Sequence, residues 1–370
     1  MTKTQIAAAL LLLGASLFSG EELVRNGDFK AGDAPWAELG SDEGRECKVT
    51  PEGLLLKRKA ADAKVIAVQY NLKLKPQTLY RFSVTGKGDT PATITLRPQS
   101  SKDPQFEKVL KAWALYTCPL PASKEQRTES LLFDSGLKAE SAYTHVTLNG
   151  KEPGSFVVSK ISLQEIGPAK PDPTETVVLS IGDSITITSY LPFSQRIDAL
   201  LAEKVAKEMA DAKVRFINVG VDGEYSKELL ETNRYEKVIK ENLQKVDVAV
   251  IRYGANDQKR YDADEFKKQI RTLCDNLQRH YPGVKIVLGT GPYLHGNPDI
   301  NKKYGVMWQA ARDLAAERNY PLADVYKKFE ADGSLKPVNG VNDMHPSAYG
   351  VQLAAEVIFE AIKPLLKPQK

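Results

Sequence analysis

Histidine is scarce: four in 370 residues, at 145, 280, 295 and 345, far apart, with no HExxH pair and no CxxC anywhere. A zinc enzyme built on a local motif is excluded, because such sites take their ligands at short fixed spacings. Neither GxxxxGK[ST] nor GxGxxG occurs, which removes the usual loops that cradle phosphates. A strong charge of one sign is also missing. Lys+Arg number 51 against 47 Asp+Glu, a net +4 without a basic stripe or tail, so no nucleic-acid partner is expected. Hydrophobic residues at 42% and charged residues at 26% exclude a disordered chain, a collagen and a coiled coil.

Long apolar runs are missing too. Lys3, the run Ile6 to Leu13, and Gly14, Ala15 and Ser16 after it have the layout of a secretory signal over residues 1–20, with a cut near Ser19 or Gly20. The run is too short to span a bilayer, which takes about 20 residues. The expectation is an exported chain, secreted or periplasmic, without membrane insertion. Of the three cysteines, Cys47 and Cys118 could pair in an oxidising compartment, and Cys274 reads as a small buried hydrophobe within a helical stretch.

The chain changes period partway along. Residues 21–166 alternate with period two: Val68, Tyr70, Leu72, Leu74; Tyr80, Phe82, Val84; Ile161, Leu163. Turn residues such as Asn149-Gly150 and Pro153-Gly154 separate the runs. Short strands with such turns predict an all-β sandwich. Pro168, Pro171 and Pro173 then mark a linker over 167–174. Residues 175–370 alternate short apolar strands (177–181, 214–218, 246–253, 285–290, 322–325) with amphipathic helices (265–280, 303–319, 347–362). That pattern predicts a parallel sheet covered on both faces, a flavodoxin-like three-layer α/β fold.

In such sheets a ligand binds beyond the carboxyl ends of the strands. The segments found there are Gly182-Asp183-Ser184, Asn218-Val219-Gly220-Val221-Asp222-Gly223, Gly254-Ala255-Asn256-Asp257 and Gly291-Pro292-Tyr293-Leu294-His295. Asn342-Asp343-Met344-His345 stands near the C-terminus. Each alone is an ordinary turn or helix cap. Together they carry a chemistry. Serine needs a base to take its proton, and His345 can do so for Ser184. Attack on an ester creates an oxyanion, and the backbone N–H groups of Ser184 and Gly223 and the side-chain amide of Asn256 can donate to it.

At this point the second half resembles the SGNH (GDSL) hydrolases over its whole length. The matching positions are Gly182–Ser184, Asn218–Gly223, Gly254–Asp257 and His345. The resemblance implies a serine esterase with Ser184 as nucleophile, His345 as base, and Gly223 and Asn256 in the oxyanion hole. One departure matters: the family's Asp-x-x-His has Asn342 where aspartate is usual, and Asp343 one place later. Three readings follow: Asn342 orients the ring in a Ser–His dyad, Asp343 reaches it through a shifted loop, or the enzyme is impaired. The first is favoured.

Asp183, Tyr293 and His295 are candidate substrate contacts. His280, at a helix C-terminus, suits a cation on the dipole, and Asp324 reads as structural. The first half resembles the jelly-roll carbohydrate-binding modules of secreted glycan enzymes through Leu23–Phe29, Trp36 and Val158–Leu163, with Trp36 a candidate sugar platform. The combined expectation is a cofactor-free, metal-free esterase that removes acetyl groups from a carbohydrate. The alternatives are a lipid esterase, thioesterase or lysophospholipase, or a glycan-binding protein with an impaired hydrolase half.

Overall fold

The computed structural model describes residues 20–101, 109, 116–136 and 138–366. Residues 1–19 of the expected leader at 1–20, and the last four residues, lie outside them. Contacts divide the chain into two units. One holds 1–104 and 118–170; the other holds 105–117 and 171–370.

The first unit is all β. Its strands are β1 (Gly40–Ser41), β2 (Arg45–Thr50), β3 (Gly53–Arg58), β4 (Ile66–Lys73), β5 (Thr78–Gly88), β6 (Ala92–Gln99), β7 (Thr117–Leu120), β8 (Ser123–Asp134), β9 (Ser141–Leu148) and β10 (Gly154–Pro168). They form two antiparallel sheets, ordered β1-β2-β3-β10-β5-β8 and β4-β9-β6-β7. Strict alternation along β5 and β9 buries Tyr80, Phe82 and Val84 and, opposite in sequence, Ala142, Val146 and Leu148.

Three expectations fail here for local reasons. In β4 the pairing slips between Gln69 and Leu72, with Asn71 at φ 60°. A bulge of this kind turns the next side chain to the other face, so Tyr70 points outward while Gln69 is buried. The Gln69 amide holds the backbone of Arg25 at both its N–H and its C=O. Trp36, at 6% exposure, packs its ring 5.2 Å from Phe29 and donates to the Asn26 carbonyl, so it is a core residue and offers no sugar platform. Cys47 and Cys118 are both buried, on strands of different sheets, and are not joined by a disulfide. β10 also runs on through Pro168, where only β5 flanks it, so the missing proline N–H costs no ladder bond.

The second unit has a five-stranded parallel sheet: β11 (Thr176–Gly182), β12 (Val214–Asn218), β13 (Val248–Arg252), β14 (Lys285–Gly289) and β15 (Leu322–Ala323). The spatial order β12-β11-β13-β14-β15 is the doubly wound 2-1-3-4-5 arrangement. Every residue of β11 and β13 is buried, as strands covered on both faces must be. The helices are α1 (Ser184–Ile187), α2 (Ile197–Glu208), α3 (Ser226–Glu231), α4 (Ala263–His280), α5 (Pro298–Arg318), α6 (Val325–Asp332) and α7 (Ala348–Ile362). Their ends follow from capping chemistry. Asp262, Asn297 and Ser347 accept N–H bonds at the starts of α4, α5 and α7, and Asn319 and Gly333 take left-handed φ after α5 and α6. A hairpin of β16 (Val338–Gly340) and β17 (Asp343–Pro346) precedes α7. No helix among the described residues is long and apolar enough to cross a membrane.

Candidate active site

β11 lies between β12 and β13, where the chain order reverses, and the crevice at its carboxyl end is the expected ligand position. Ser184 stands there as the first residue of α1. Its helix is short because Thr188 turns left-handed at φ 49°. At the start of a helix the backbone N–H of Ser184 has no intrahelical acceptor and can face a ligand.

The turn is held from several sides. Asp183 accepts from the Ile185 N–H at 3.0 Å, while Arg252 donates to the Ile185 carbonyl at 3.1 Å. Thr186 Oγ1 donates to the Arg252 carbonyl, and Asn218 Nδ2 donates to the Thr186 carbonyl. Asn218 Oδ1 takes the Gly220 N–H. The loops after β11, β12 and β13 are thus tied into one assembly.

His345 comes from β17. Its Nε2 lies 2.9 Å from Ser184 Oγ and its Nδ1 lies 2.7 Å from Asp343 Oδ1. The favoured reading that Asn342 orients the ring is therefore corrected. Asp343 and His345 are two apart in a strand, so their side chains share one face. Asn342 precedes the strand and accepts instead from Asn297 Nδ2. Asp343 Oδ1 also accepts the His345 backbone N–H at 2.9 Å, which fixes the carboxylate under the ring.

Gly223 has φ 77° and open space where a Cβ would stand. Its neighbour Glu224 is wholly buried, with Oε2 held by Arg234 and by the Tyr253 hydroxyl. Asn256 Nδ2 donates to the Glu224 carbonyl at 3.1 Å, which fixes the amide plane beside Gly223 and leaves its second hydrogen free to point elsewhere. Gly254, at φ 127°, has no room for a side chain: an added Cβ would stand 2.5 Å from the buried Trp308 ring. Asp257 accepts from Gly254 N and from both donors of Ser226, binding the Asn256 loop to α3.

Asp183 is not a substrate contact. It has no exposed surface, and burial pushes its carboxyl up to about 8, against the pull of the Ile185 N–H and of Arg252. Tyr293 and His295 stack edge-on to each other, and Tyr293 also meets Tyr326; His295 Nε2 lies 3.1 Å from the Glu330 carbonyl. These contacts join the loop after β14 to α6 and connect neither residue to Ser184 or His345. His280 ends α4, as expected, but its surroundings disfavour a cation there. Its Nδ1 meets the Tyr235 hydroxyl at 2.8 Å, and burial and Lys240 lower its basicity. Asp324 is structural as expected, with both oxygens on Arg312.

Sequence reasoning passed over Tyr190. Its ring meets His345 edge-on at 5.2 Å and its hydroxyl donates to the Pro346 carbonyl at 2.9 Å. Burial raises its pKa, so the hydroxyl keeps the proton it donates. No motif signals a tyrosine six residues beyond the serine.

Residues 180–353 match the model of the GDSL-like Lipase/Acylhydrolase family. This stretch is similar to the GDSL-type hydrolases. Among individual proteins, the chain is 22% identical over 213 residues to the uncharacterized protein YpmR of Bacillus subtilis (strain 168), spanning 50% of this chain and 81% of that one. It is similar in structure to the lipase/acylhydrolase from Enterococcus faecalis, at 23% identity and TM-score 0.44, covering 53% of this chain and 99% of that one. An active-site mutant of a family two carbohydrate esterase from Clostridium thermocellum aligns at 16% identity and TM-score 0.41, over 87% of this chain and 98% of that one.

Proposed function

We propose that this protein is an exported serine esterase that removes an acetyl group from a carbohydrate. The observation that carries the esterase reading is the unbroken chain Ser184 Oγ, His345 Nε2, His345 Nδ1, Asp343 Oδ1, at 2.9 and 2.7 Å. Asp343 accepts a hydrogen bond from Nδ1–H, holding the ring in the tautomer whose Nε2 is free to take the serine proton. As Oγ bonds to the ester carbon, its proton passes to Nε2, and Asp343 balances the imidazolium. The carbonyl oxygen becomes an oxyanion facing the N–H groups of Ser184 and Gly223 and the amide of Asn256. His345 then protonates the leaving sugar oxygen as the tetrahedral intermediate collapses to an acyl-serine. Water repeats the cycle with the same base and releases the acid. Every proton moves between protein groups, substrate and water.

The orienting carboxylate removes the sole support for an impaired hydrolase half, which was the Asn342 departure. The carbohydrate reading draws on the appended all-β unit and the expected export signal. The test is hydrolysis of p-nitrophenyl acetate by the wild type and Ser184→Ala, then of acetylated glycans against short- and long-chain esters. Loss of hydrolysis in Ser184→Ala with a preference for acetylated glycans supports the reading. Equal rates in the two proteins remove the serine from the reaction, and a preference for long acyl chains moves the substrate to lipids.

A further inference from the structure

The two loops that carry the oxyanion donors Gly223 and Asn256 run on into a cluster that the mechanism does not use, with Tyr225, Lys227 and Tyr261 half-buried and Arg260 exposed. Tyr225 follows Glu224, whose carbonyl holds the Asn256 amide, and Arg260 ends the 3-10 turn that begins just after Asn256. The Arg260 guanidinium lies 4.8 Å over the Tyr225 ring, and Tyr225 meets Tyr261 at 5.9 Å. Lys227 lies 5.6 Å over the Tyr261 ring. Lys227 is balanced by Glu231 at 3.5 Å. Arg260 is exposed, and no carboxylate among the described residues pairs with it. Stacking on tyrosine occupies one face of the guanidinium and sets its plane. Its edge, with paired N–H donors, stays open to a planar anion.

We propose that Arg260, stacked on Tyr225, forms a subsite for a carboxylate on the alcohol part of the substrate, so that the preferred ester is an acetylated acidic glycan. This rests on the esterase reading of the same site. A guanidinium–carboxylate pair at such a rim is bidentate and charge-assisted, yet solvent-screened, so its loss costs roughly tenfold in affinity.

The experiment compares kcat/KM on acetylated polygalacturonate and on neutral acetylated xylan for the wild type, Arg260→Lys and Arg260→Glu. Inhibition of p-nitrophenyl acetate hydrolysis by acidic and by neutral oligosaccharides is measured in parallel. The acidic-to-neutral ratio should fall roughly tenfold or more in Arg260→Glu and partly recover in Arg260→Lys. Acidic oligosaccharides should inhibit the wild type better than Arg260→Glu, and the difference should shrink with salt. A ratio that does not move, or acidic and neutral rates that fall together, overturns the subsite. Hydrolysis that survives Ser184→Ala overturns the esterase reading instead, so the two failures are told apart.

Discussion

Removing the Asp343 carboxylate is the perturbation that most cleanly separates the observed site from the family's usual pattern. In Asp343→Ala the His345 ring loses its Nδ1 partner at 2.7 Å and the carboxylate that faces the imidazolium formed during attack. Two unit charges about 4 Å apart interact by about 4 kcal/mol at an effective dielectric near 20. Both side chains are close to half exposed, at 42% and 45%, so water screens the pair and about 2 to 4 kcal/mol brackets the loss. That corresponds to a fall in kcat of about 30-fold to about 1,000-fold. Asn342→Ala removes only an exposed hydrogen bond from Asn297 at 2.9 Å, and should change kcat by less than about threefold. The assay is steady-state hydrolysis of p-nitrophenyl acetate, with denaturation midpoints measured alongside. A larger loss in Asn342→Ala than in Asp343→Ala would refute the assignment of the orienting group.

Asn256→Ala should lower kcat by about a hundred- to a thousandfold while the protein still folds, since it removes one oxyanion donor; a kcat reduced to that extent with near-normal circular dichroism checks this. Gly223→Ala adds a side chain into open space but at φ 77°, so it should cost about 1 to 2 kcal/mol of stability through backbone strain, without a clash. Burial raises the Asp183 carboxyl to about 8 in the folded protein, above its unfolded value near 4. Its contribution to stability is therefore full below that unfolded value and is lost as pH rises toward 8. Asp183→Asn, which keeps an acceptor for the Ile185 N–H, should gain stability relative to the wild type between pH 5 and pH 8; a constant difference in urea midpoints would contradict this. All three cysteines are buried thiols outside any disulfide, with those of Cys47 and Cys274 pushed up by burial to about 11 and about 12. A thiol reagent should label them slowly in the native protein and count three after denaturation without reductant.

The α/β unit was legible because its strands are short, apolar and separated by amphipathic helices, so period alone placed the core strands within a few residues of where they lie. Ser184, Gly223 and Asn256 were legible because they follow strand ends. Asp343 was harder. Asp343–Pro346 is a short segment ending in proline that reads as a loop, and only the hairpin with β16 turns it into a strand whose residues two apart share a face. Tyr70 was misplaced because nothing in an alternating pattern announces a bulge. Asp183 was misplaced for another reason: a carboxylate beside the nucleophile suggests a substrate contact, yet at an N-cap its job is to hold the Ile185 N–H. Trp36 illustrates the same limit, since its burial against Phe29 is a tertiary fact.

The central claim is that the Ser184 hydroxyl becomes covalently acylated. Rapid quenching during p-nitrophenyl acetate turnover, followed by peptide mass spectrometry, tests it directly. The account predicts a burst of nitrophenol and an acetyl group on the peptide containing Ser184, absent in Ser184→Ala and formed far more slowly in His345→Ala. Turnover with the acetyl group on another residue, or with unmodified Ser184 and an undiminished rate in Ser184→Ala, would contradict it.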